Sequence, residues 1–227
     1  MQKFDLGQCD IRELNQALHD VPADSSEQFH IINTNGKHSV AVGVNAPVSI
    51  RVDGHVGYYC AGMNQNSNIT VNGNAGPGLA ENMMSGSVRV AGNASQYCAA
   101  TAHGGLVVVE GDASSRCGIS MKGIDIVVGG SVGHMSAFMA QSGRLVVCGD
   151  AGDALGDSLY EARIYVRGEV KSLGADCIEK DMKDEHLTEL RELLDQAGMP
   201  EIKASEFHRY GSARKLYNFN IDNAAAY

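Results

Sequence analysis

The fold is decided by a short stretch that reads Ile50-Arg51-Val52-Asp53-Gly54-His55-Val56. It returns 19 residues later as Ile69-Thr70-Val71-Asn72-Gly73-Asn74-Ala75, and it keeps returning at that interval without insertion or deletion. A fixed period of this length is typical of a solenoid, in which each repeat is one turn of a continuing coil. Seven glycines mark the repeat: Gly54, Gly73, Gly92, Gly111, Gly130, Gly149 and Gly168.

Each of these glycines follows a strand-like pattern. A valine stands two residues before every glycine, and another aliphatic residue stands two residues further back. Such a spacing of two, with β-branched residues predominating, is typical of a strand whose alternate side chains face a core. The position directly after the glycine is always polar, and the position two after it is always valine or alanine. The position seven after the glycine is always alanine or glycine. The pattern predicts an all-β fold, a right-handed parallel β-helix of about seven coils.

The repeat divides the chain into three parts. Residues 48–180 are predicted to form the β-helix, residues 1–47 an N-terminal helix and cap, and residues 181–227 a C-terminal helix and tail. Asp10 can cap the first helix, which carries Ile11, Leu14, Ala17 and Leu18 on one face.

The second helix is predicted over residues 184–194, where the sequence is amphipathic, and Gly198 and Pro200 end it. A solenoid end exposes core and strand edges. We therefore expect both short helices to cap the ends of the column, with partner binding as the alternative.

One outward position changes character along the column. The position three before the glycine reads Arg51, Thr70 and Arg89, and then becomes apolar. A contiguous apolar stripe is unusual on the surface of a monomer, so we expect something to cover it. The cover is either the chain's own tail, residues 200–227, or another subunit. The candidate interface comprises Val108, Val127, Val146 and Tyr165 in the stripe, and Phe207, Tyr210 and Tyr217 in the tail.

Charge and hydropathy exclude several classes of partner. The net charge of −9 opposes phosphate backbones and anionic lipid, and the basic residues form no stripe, so we expect no nucleic acid. No apolar run approaches the ~18 residues of a membrane span, and the N-terminus lacks the apolar segment of a signal peptide. The sequence therefore predicts a cytoplasmic protein without a membrane partner.

Catalytic and metal-binding patterns are scarce. The six cysteines contain no CxxC pair; Cys60, Cys98 and Cys117 share the position six after the glycine and are predicted to be small core residues rather than metal ligands. Asp112 and Asp150 share the corner position directly after the glycine, where a turn role is favoured over that of a hydrolase pair. No histidines share a position within the repeats. We thus predict no catalytic, cofactor-binding or metal-binding residue in this chain.

The glycine pattern resembles a known family. Val52-Asp53-Gly54-His55-Val56-Gly57 and Val147-Cys148-Gly149-Asp150-Ala151-Gly152 are similar to the GXGXG β-helix domain at the C-terminus of the large subunit of glutamate synthase. The resemblance extends to the opening Asp10-Ile11-Arg12-Glu13-Leu14-Asn15 and to the ending Tyr210-Gly211-Ser212-Ala213-Arg214-Lys215-Leu216. In that enzyme the domain is a scaffold between a glutamine amidotransferase domain and an FMN-containing barrel.

Neither catalytic part is present in this chain. A class II amidotransferase needs a cysteine as its processed N-terminal residue, whereas position 2 is Gln2 and the first cysteine is Cys9. An FMN barrel needs roughly 250 residues, which leaves no room beside the β-helix. The resemblance therefore implies a non-catalytic scaffold subunit that works with a class II amidotransferase-like subunit and an FMN-containing subunit, with FMN and an iron–sulfur cluster held by the partners.

Length and opening segment look most similar to the small subunit of N-methylglutamate synthase, which converts glutamate and methylamine to N-methylglutamate and ammonia. Three alternatives stay open: a stand-alone glutamate synthase β-helix subunit, the β-helix subunit of formylmethanofuran dehydrogenase, and an independent carbohydrate-active solenoid.

Overall fold

The computed structural model describes residues 1–215, and these form a single eleven-stranded sheet with two short helices. The strands follow one another across the sheet in chain order except at the end, where the order is β9-β11-β10. The strands are β1 (Gln2–Asp5), β2 (Gln28–Ile32), β3 (Ser49–Asp53), β4 (Asn68–Asn72), β5 (Ser87–Val90), β6 (Leu106–Val109), β7 (Lys122–Val128), β8 (Ser142–Val147), β9 (Arg163–Val166), β10 (Cys177–Lys180) and β11 (His208–Ser212).

Strands β1 to β9 pair in parallel, each with the next in the chain. From β3 onward the register matches the period, so that Ile50 is opposite Ile69 and Val88 is opposite Val107. A second ladder of parallel bridges joins the positions two after each glycine, from Val56 to Val170. These stacked coils confirm the parallel β-helix.

The column interior is built from the inward positions that the period singled out. The valine two before each glycine and the aliphatic residue before it are buried in all seven coils. The small residue seven after the glycine lies in a turn with a left-handed backbone in the first six coils: Ala61 has φ 57° and Ala80 has φ 54°. Ala61 and Ala80 are fully buried in the close-packed core, so a larger side chain has no room at this position.

One further coil precedes the seven. The sequence predicts only a helix and cap over residues 1–47, but β2 pairs with β3 in parallel. Ser39, Ala41 and Gly43 repeat the left-handed pattern of Tyr59, Ala61 and Met63 in the next coil. Phe29 is opposite Ile50, an offset of 21 residues, and the bridge between Asn45 and Gln65 has an offset of 20, so the 19-residue period does not extend into this coil.

The first helix, α1 (Ile11–His19), lies against this additional coil as an N-terminal cap. Asp10 caps it as predicted: Oδ1 of Asp10 accepts from the backbone N–H of Arg12 at 2.9 Å, and the Glu13 carboxylate accepts from the N–H of Asp10 at 3.1 Å. Leu14 and Leu18 are buried in the core of the column. Nδ2 of Asn15 also donates to the carbonyl of Ser39.

The second helix, α2 (Asp184–Gln196), does not cap the end of the column, which corrects our expectation. It ends before Gly198, as predicted, but it lies along the outward face of the strands. Behind it come a short 3-10 helix (Ala204–Glu206) and β11, which pairs antiparallel with both β9 and β10 and so closes the upper end of the sheet. Within residues 1–215, no helix is long and apolar enough to cross a membrane.

Candidate functional site

The polar position after each glycine forms a ladder along one corner of the column. Oδ1 of Asn74 accepts a hydrogen bond from the backbone N–H of Asn93 at 2.8 Å, and Oδ1 of Asn93 accepts one from the N–H of Asp112 at 2.8 Å. The ladder begins at Nδ1 of His55 and ends at Oδ1 of Asp150. Each corner side chain thus satisfies a backbone donor one coil above, which is why the position is always polar.

The repeat glycines are explained by the same corner. The backbone N–H of Gly92 donates to the carbonyl of Gly73 at 3.0 Å, which brings consecutive coils close. A Cβ at Gly73 would lie 2.5 Å from the carbonyl oxygen of Gly54, and one at Gly149 would lie 2.5 Å from Oγ of Ser131. Of the seven, only Gly54 has a positive φ. These glycines are therefore required by the close approach of neighbouring coils.

The outward apolar stripe is covered by α2. Val108 is 2% exposed and Val127, Val146 and Tyr165 are fully buried, because the helix lies across them. The covering residues are Leu190, Leu193, Leu194 and Ala197, with Ala204 and Phe207 behind them. The cover is the chain itself, so the structure corrects the hypothesis that another subunit lies over these four residues. Most of the cover comes from α2 rather than from the tail beyond residue 200.

Polar contacts hold α2 at its second turn and at its C-terminal end. The Tyr165 hydroxyl donates to Oε1 of Glu189 at 2.9 Å, and burial raises the pKa of this phenol. At the other end, the Arg89 guanidinium donates to the carbonyl of Ala197 at 2.6 Å and to the Glu110 carboxylate at 2.9 Å. A cation at the C-terminus of a helix stabilises it through the exposed carbonyls. The outward Arg89 is thus a positioning residue for α2.

A different surface, made of exposed and half-buried side chains, lies on the turns of the first coils. We call it the aromatic face, and it comprises His38, Tyr58, Tyr59, Tyr97 and Arg116. Tyr58 is 48% and Tyr59 is 53% exposed, and His38 stacks on Tyr58 with ring centroids 4.5 Å apart. The Arg116 guanidinium lies 5.8 Å from the centre of the Tyr97 ring. Positions four and five after the glycine place these side chains outward, a signal that our sequence analysis missed.

Comparison with known proteins identifies the family. No model of a known protein family matches the chain. Over 228 aligned positions, covering 100% of both chains, it is 62% identical to Protein GlxC of Rhizobium meliloti (strain 1021). The chain belongs to the GlxC family.

For this GlxC-family chain, the remaining candidate interface residues are placed inside the fold. Phe207 is buried with the cover of the stripe. Tyr210 lies in β11 opposite Ile164 and is buried in the column core. Tyr217 lies outside the described residues. Six of the seven candidate residues are therefore packing residues, and they form no exposed patch.

The three cysteines that share one repeat position in this GlxC-family chain are buried core residues, as predicted. Cys60, Cys98 and Cys117 are fully buried, and burial raises the pKa of the Cys60 thiol to about 12. Cys98 and Cys117 are close enough to interact, which raises the pKa of Cys117 together with its burial. Among residues 1–215, no three histidines, cysteines or carboxylates are grouped so that they could hold a metal ion.

The two shared corner aspartates also have a structural role. Oδ1 of Asp112 accepts from the backbone N–H of Ser131 at 2.7 Å, and Oδ1 of Asp150 accepts from the N–H of Glu169 at 2.8 Å. Both carboxylates are thereby members of the corner ladder of this GlxC-family column, which favours the turn role over that of a hydrolytic pair.

Proposed function

We propose that this chain is the scaffold subunit of a glutamate-synthase-type complex, and that it holds a class II amidotransferase-like subunit and an FMN-containing subunit in a fixed relation. FMN and an iron–sulfur cluster belong, in this proposal, to the partners, and the scaffold itself is not catalytic. The observation that carries the proposal is the continuous bonding of the column, in a chain whose glycine pattern resembles the scaffold domain of glutamate synthase.

Stiffness follows from the number of independent ladders that connect each coil to the next. The strands, the bridges two after the glycine, the glycine backbone and the corner side chains each supply one. Sliding or bending one coil against its neighbour would break several hydrogen bonds at once, each worth about 1 kcal/mol net. A stiff column of this kind can hold two distant active sites at a fixed separation and orientation while ammonia or an amine passes from one to the other.

Within this class, we propose N-methylglutamate synthase as the parent complex, in which glutamate and methylamine give N-methylglutamate and ammonia. The support is the similarity of length and opening segment to the small subunit of that enzyme. The alternative parent complex is a glutamate synthase with a stand-alone β-helix subunit, whose substrates would be glutamine and 2-oxoglutarate. The two complexes differ in the amine used and not in the role of this chain.

The aromatic face supports the scaffold role as a contact surface. Exposed tyrosines and an arginine stacked on a ring are the residue types enriched at the centres of protein interfaces. The two exposed rings of Tyr58 and Tyr59 adjoin the stacked His38, so a partner would bury them together. We propose that one of the two catalytic partners docks there.

Co-purification with the tagged full-length chain from its source cells tests the proposal. We expect an amidotransferase-fold protein and an FMN protein in stoichiometric amounts, identified by mass spectrometry and by the flavin spectrum. Molybdopterin or tungsten proteins in their place would support the formylmethanofuran dehydrogenase alternative instead. Recovery of the chain alone, with binding of a polysaccharide, would support the carbohydrate-active alternative.

The docking surface has a matched test. Replacing Tyr58 and Tyr59 together by serine should leave the melting temperature nearly unchanged, because both side chains are exposed, and should lower the recovery of one partner at least ~10-fold. Arg51→Gln, on the exposed strand face of the same coil, is the control and should retain both partners. If both variants retain them equally, the aromatic face is not the contact surface.

A further inference from the structure

The outward strand position does not end at Tyr165. Arg209 of β11 is directly opposite Tyr165, and Lys180 of β10 is directly opposite Arg209. The covered apolar stripe is thus followed, on the same face of the sheet, by two cations on neighbouring strands. Like charges that face each other across a strand pair destabilise the pair. The arrangement favours an anion beside them.

The charges of these side chains are poorly compensated. Nε and Nη2 of Arg209 donate to the backbone carbonyl of Asp181, at 3.0 and 2.9 Å, which fixes the guanidinium on a neutral acceptor. Among residues 1–215, neither Lys180 nor Lys183 is paired with a carboxylate. Arg209 is therefore held in place while two nearby ammonium groups remain available.

These groups line a cavity of about 340 Å³ between the start of α2, the ends of β10 and β11 and the segment before β9. Five basic side chains line it against two carboxylates, Glu161 and Glu185, although the whole chain carries a net charge of −9. The basic residues are Arg163, Lys180, Lys183, Arg209 and Arg214. Arg163 is paired with Glu189 and Arg214 with Glu161.

The start of α2 adds to the positive potential of the cavity. Its N-cap is Lys183, a residue whose side chain has no oxygen to offer the first-turn amides, and its dipole places partial positive charge there. The buried His186 accepts the N–H of Lys183 through Nδ1 at 3.1 Å. Burial, and after it the charge of Arg209, lowers the pKa of His186, so the fold disfavours the cationic form of this imidazole.

We propose that this basic cleft binds a small oxyanion, a ligand whose carboxylate or phosphate groups lie between Lys180, Lys183 and Arg209. The volume is at the lower end of the roughly 300–1,000 Å³ range of ligand pockets, which fits a ligand of a few carbon atoms rather than a nucleotide. Arginine and lysine at a helix N-terminus recognise these groups by charge-assisted hydrogen bonds. The inference does not depend on the scaffold function.

Titration of the full-length chain with succinate and, separately, with inorganic phosphate tests the cleft. At low ionic strength we expect a dissociation constant on the order of 1 mM or tighter for at least one of the two probes, and weaker binding as salt is added. In ¹H–¹⁵N spectra the shifts should concentrate at Lys183, at Gly211 and at the Nε of Arg209. The probe that binds more tightly identifies the preferred oxyanion.

The double variant Lys180→Gln and Lys183→Gln should lose binding at least ~10-fold while melting at or above the wild-type temperature, because it removes like-charge repulsion. Lys122→Gln, an exposed lysine of β7, is the matched control and should bind as the wild type does. The proposal is overturned by absence of binding of both probes at tens of millimolar, by binding that survives the double variant, or by equal loss in the control.

Discussion

Replacing Gly73 by alanine should destabilise the column, although the change adds only one methyl group. The new Cβ would lie 2.5 Å from the carbonyl oxygen of Gly54, 2.6 Å from its carbonyl carbon and 2.9 Å from the backbone nitrogen of His55. All three are backbone atoms of the preceding coil, so no rotamer change relieves the overlap. The two coils must move apart by about 1 Å to reach ordinary contact distance.

That movement weakens the bonds between the coils. The N–H of Gly54 donates to the carbonyl of Asn72 at 3.2 Å, and the N–H of Val56 donates to the carbonyl of Asn74 at 2.9 Å. Overpacking costs about 1–3 kcal/mol, and each weakened backbone bond costs about 0.5–1.5 kcal/mol. The expected loss of unfolding free energy is thus about 2–6 kcal/mol, which for a chain of this size lowers the melting temperature by roughly 5–25 °C.

Calorimetry on Gly73→Ala and Gly62→Ala measures the effect with a matched control. Gly62 lies in the same part of the column, but its added Cβ would be 3.4 Å from the nearest atom, the carbonyl oxygen of Tyr59. We expect Gly62→Ala to stay within about 1 kcal/mol of wild type or to be slightly stabilising. Equal melting temperatures for the two variants would refute the close-approach explanation of the repeat glycines.

Three further outcomes follow from the packing. Val128→Asp places a charge in the column interior, and we expect a loss of several kcal/mol and an insoluble or protease-sensitive chain; wild-type melting would show that this position is not the interior. Val127→Thr with Val146→Thr buries two hydroxyls beneath α2 at about 1–3 kcal/mol each; hydrogen exchange should accelerate in α2 first, and unchanged protection there would contradict the helix cover. The pKa of His186 is lowered in the fold, so the unfolded chain binds a proton at this residue first as the pH falls below about 6.5. The free energy of unfolding should therefore decrease between pH 7 and pH 5 more in the wild type than in His186→Gln. Thermal melts of both proteins at each pH measure the difference.

The column itself was predictable because its determinants are local and periodic. Val52 and Val71 occupy equivalent inward positions, and the parallel register places them opposite each other at the offset that the sequence displays. The polar corner position and the small position in the left-handed turn were also visible as patterns. Their causes, the corner hydrogen bond of Asn74 and the complete burial of Ala80 in the core, became clear only in three dimensions.

The parts that were missed have no period. Leu190 and Leu193 of the covering helix α2 pack with valines of the stripe that lie far earlier in the chain. The amphipathic pattern predicts a buried face of the helix but does not indicate which surface covers that face. The basic cleft depends on β11 lying between β9 and β10, an order that breaks the chain sequence and brings Arg209 beside Lys180. The additional first coil was hidden because its offset from the next coil is one or two residues longer than the period.

The position of β11 also limits how the protein can assemble with copies of itself. A parallel column that ended at β9 would present a strand ready to receive another coil, and a second molecule could add its own coils and polymerise end to end. β11 runs antiparallel against β9 and interrupts the succession of parallel coils, and among residues 1–215 the sheet ends at β10. β11 therefore closes this end of the column and opposes the end-to-end addition of coils from a second molecule, which would produce a fibre.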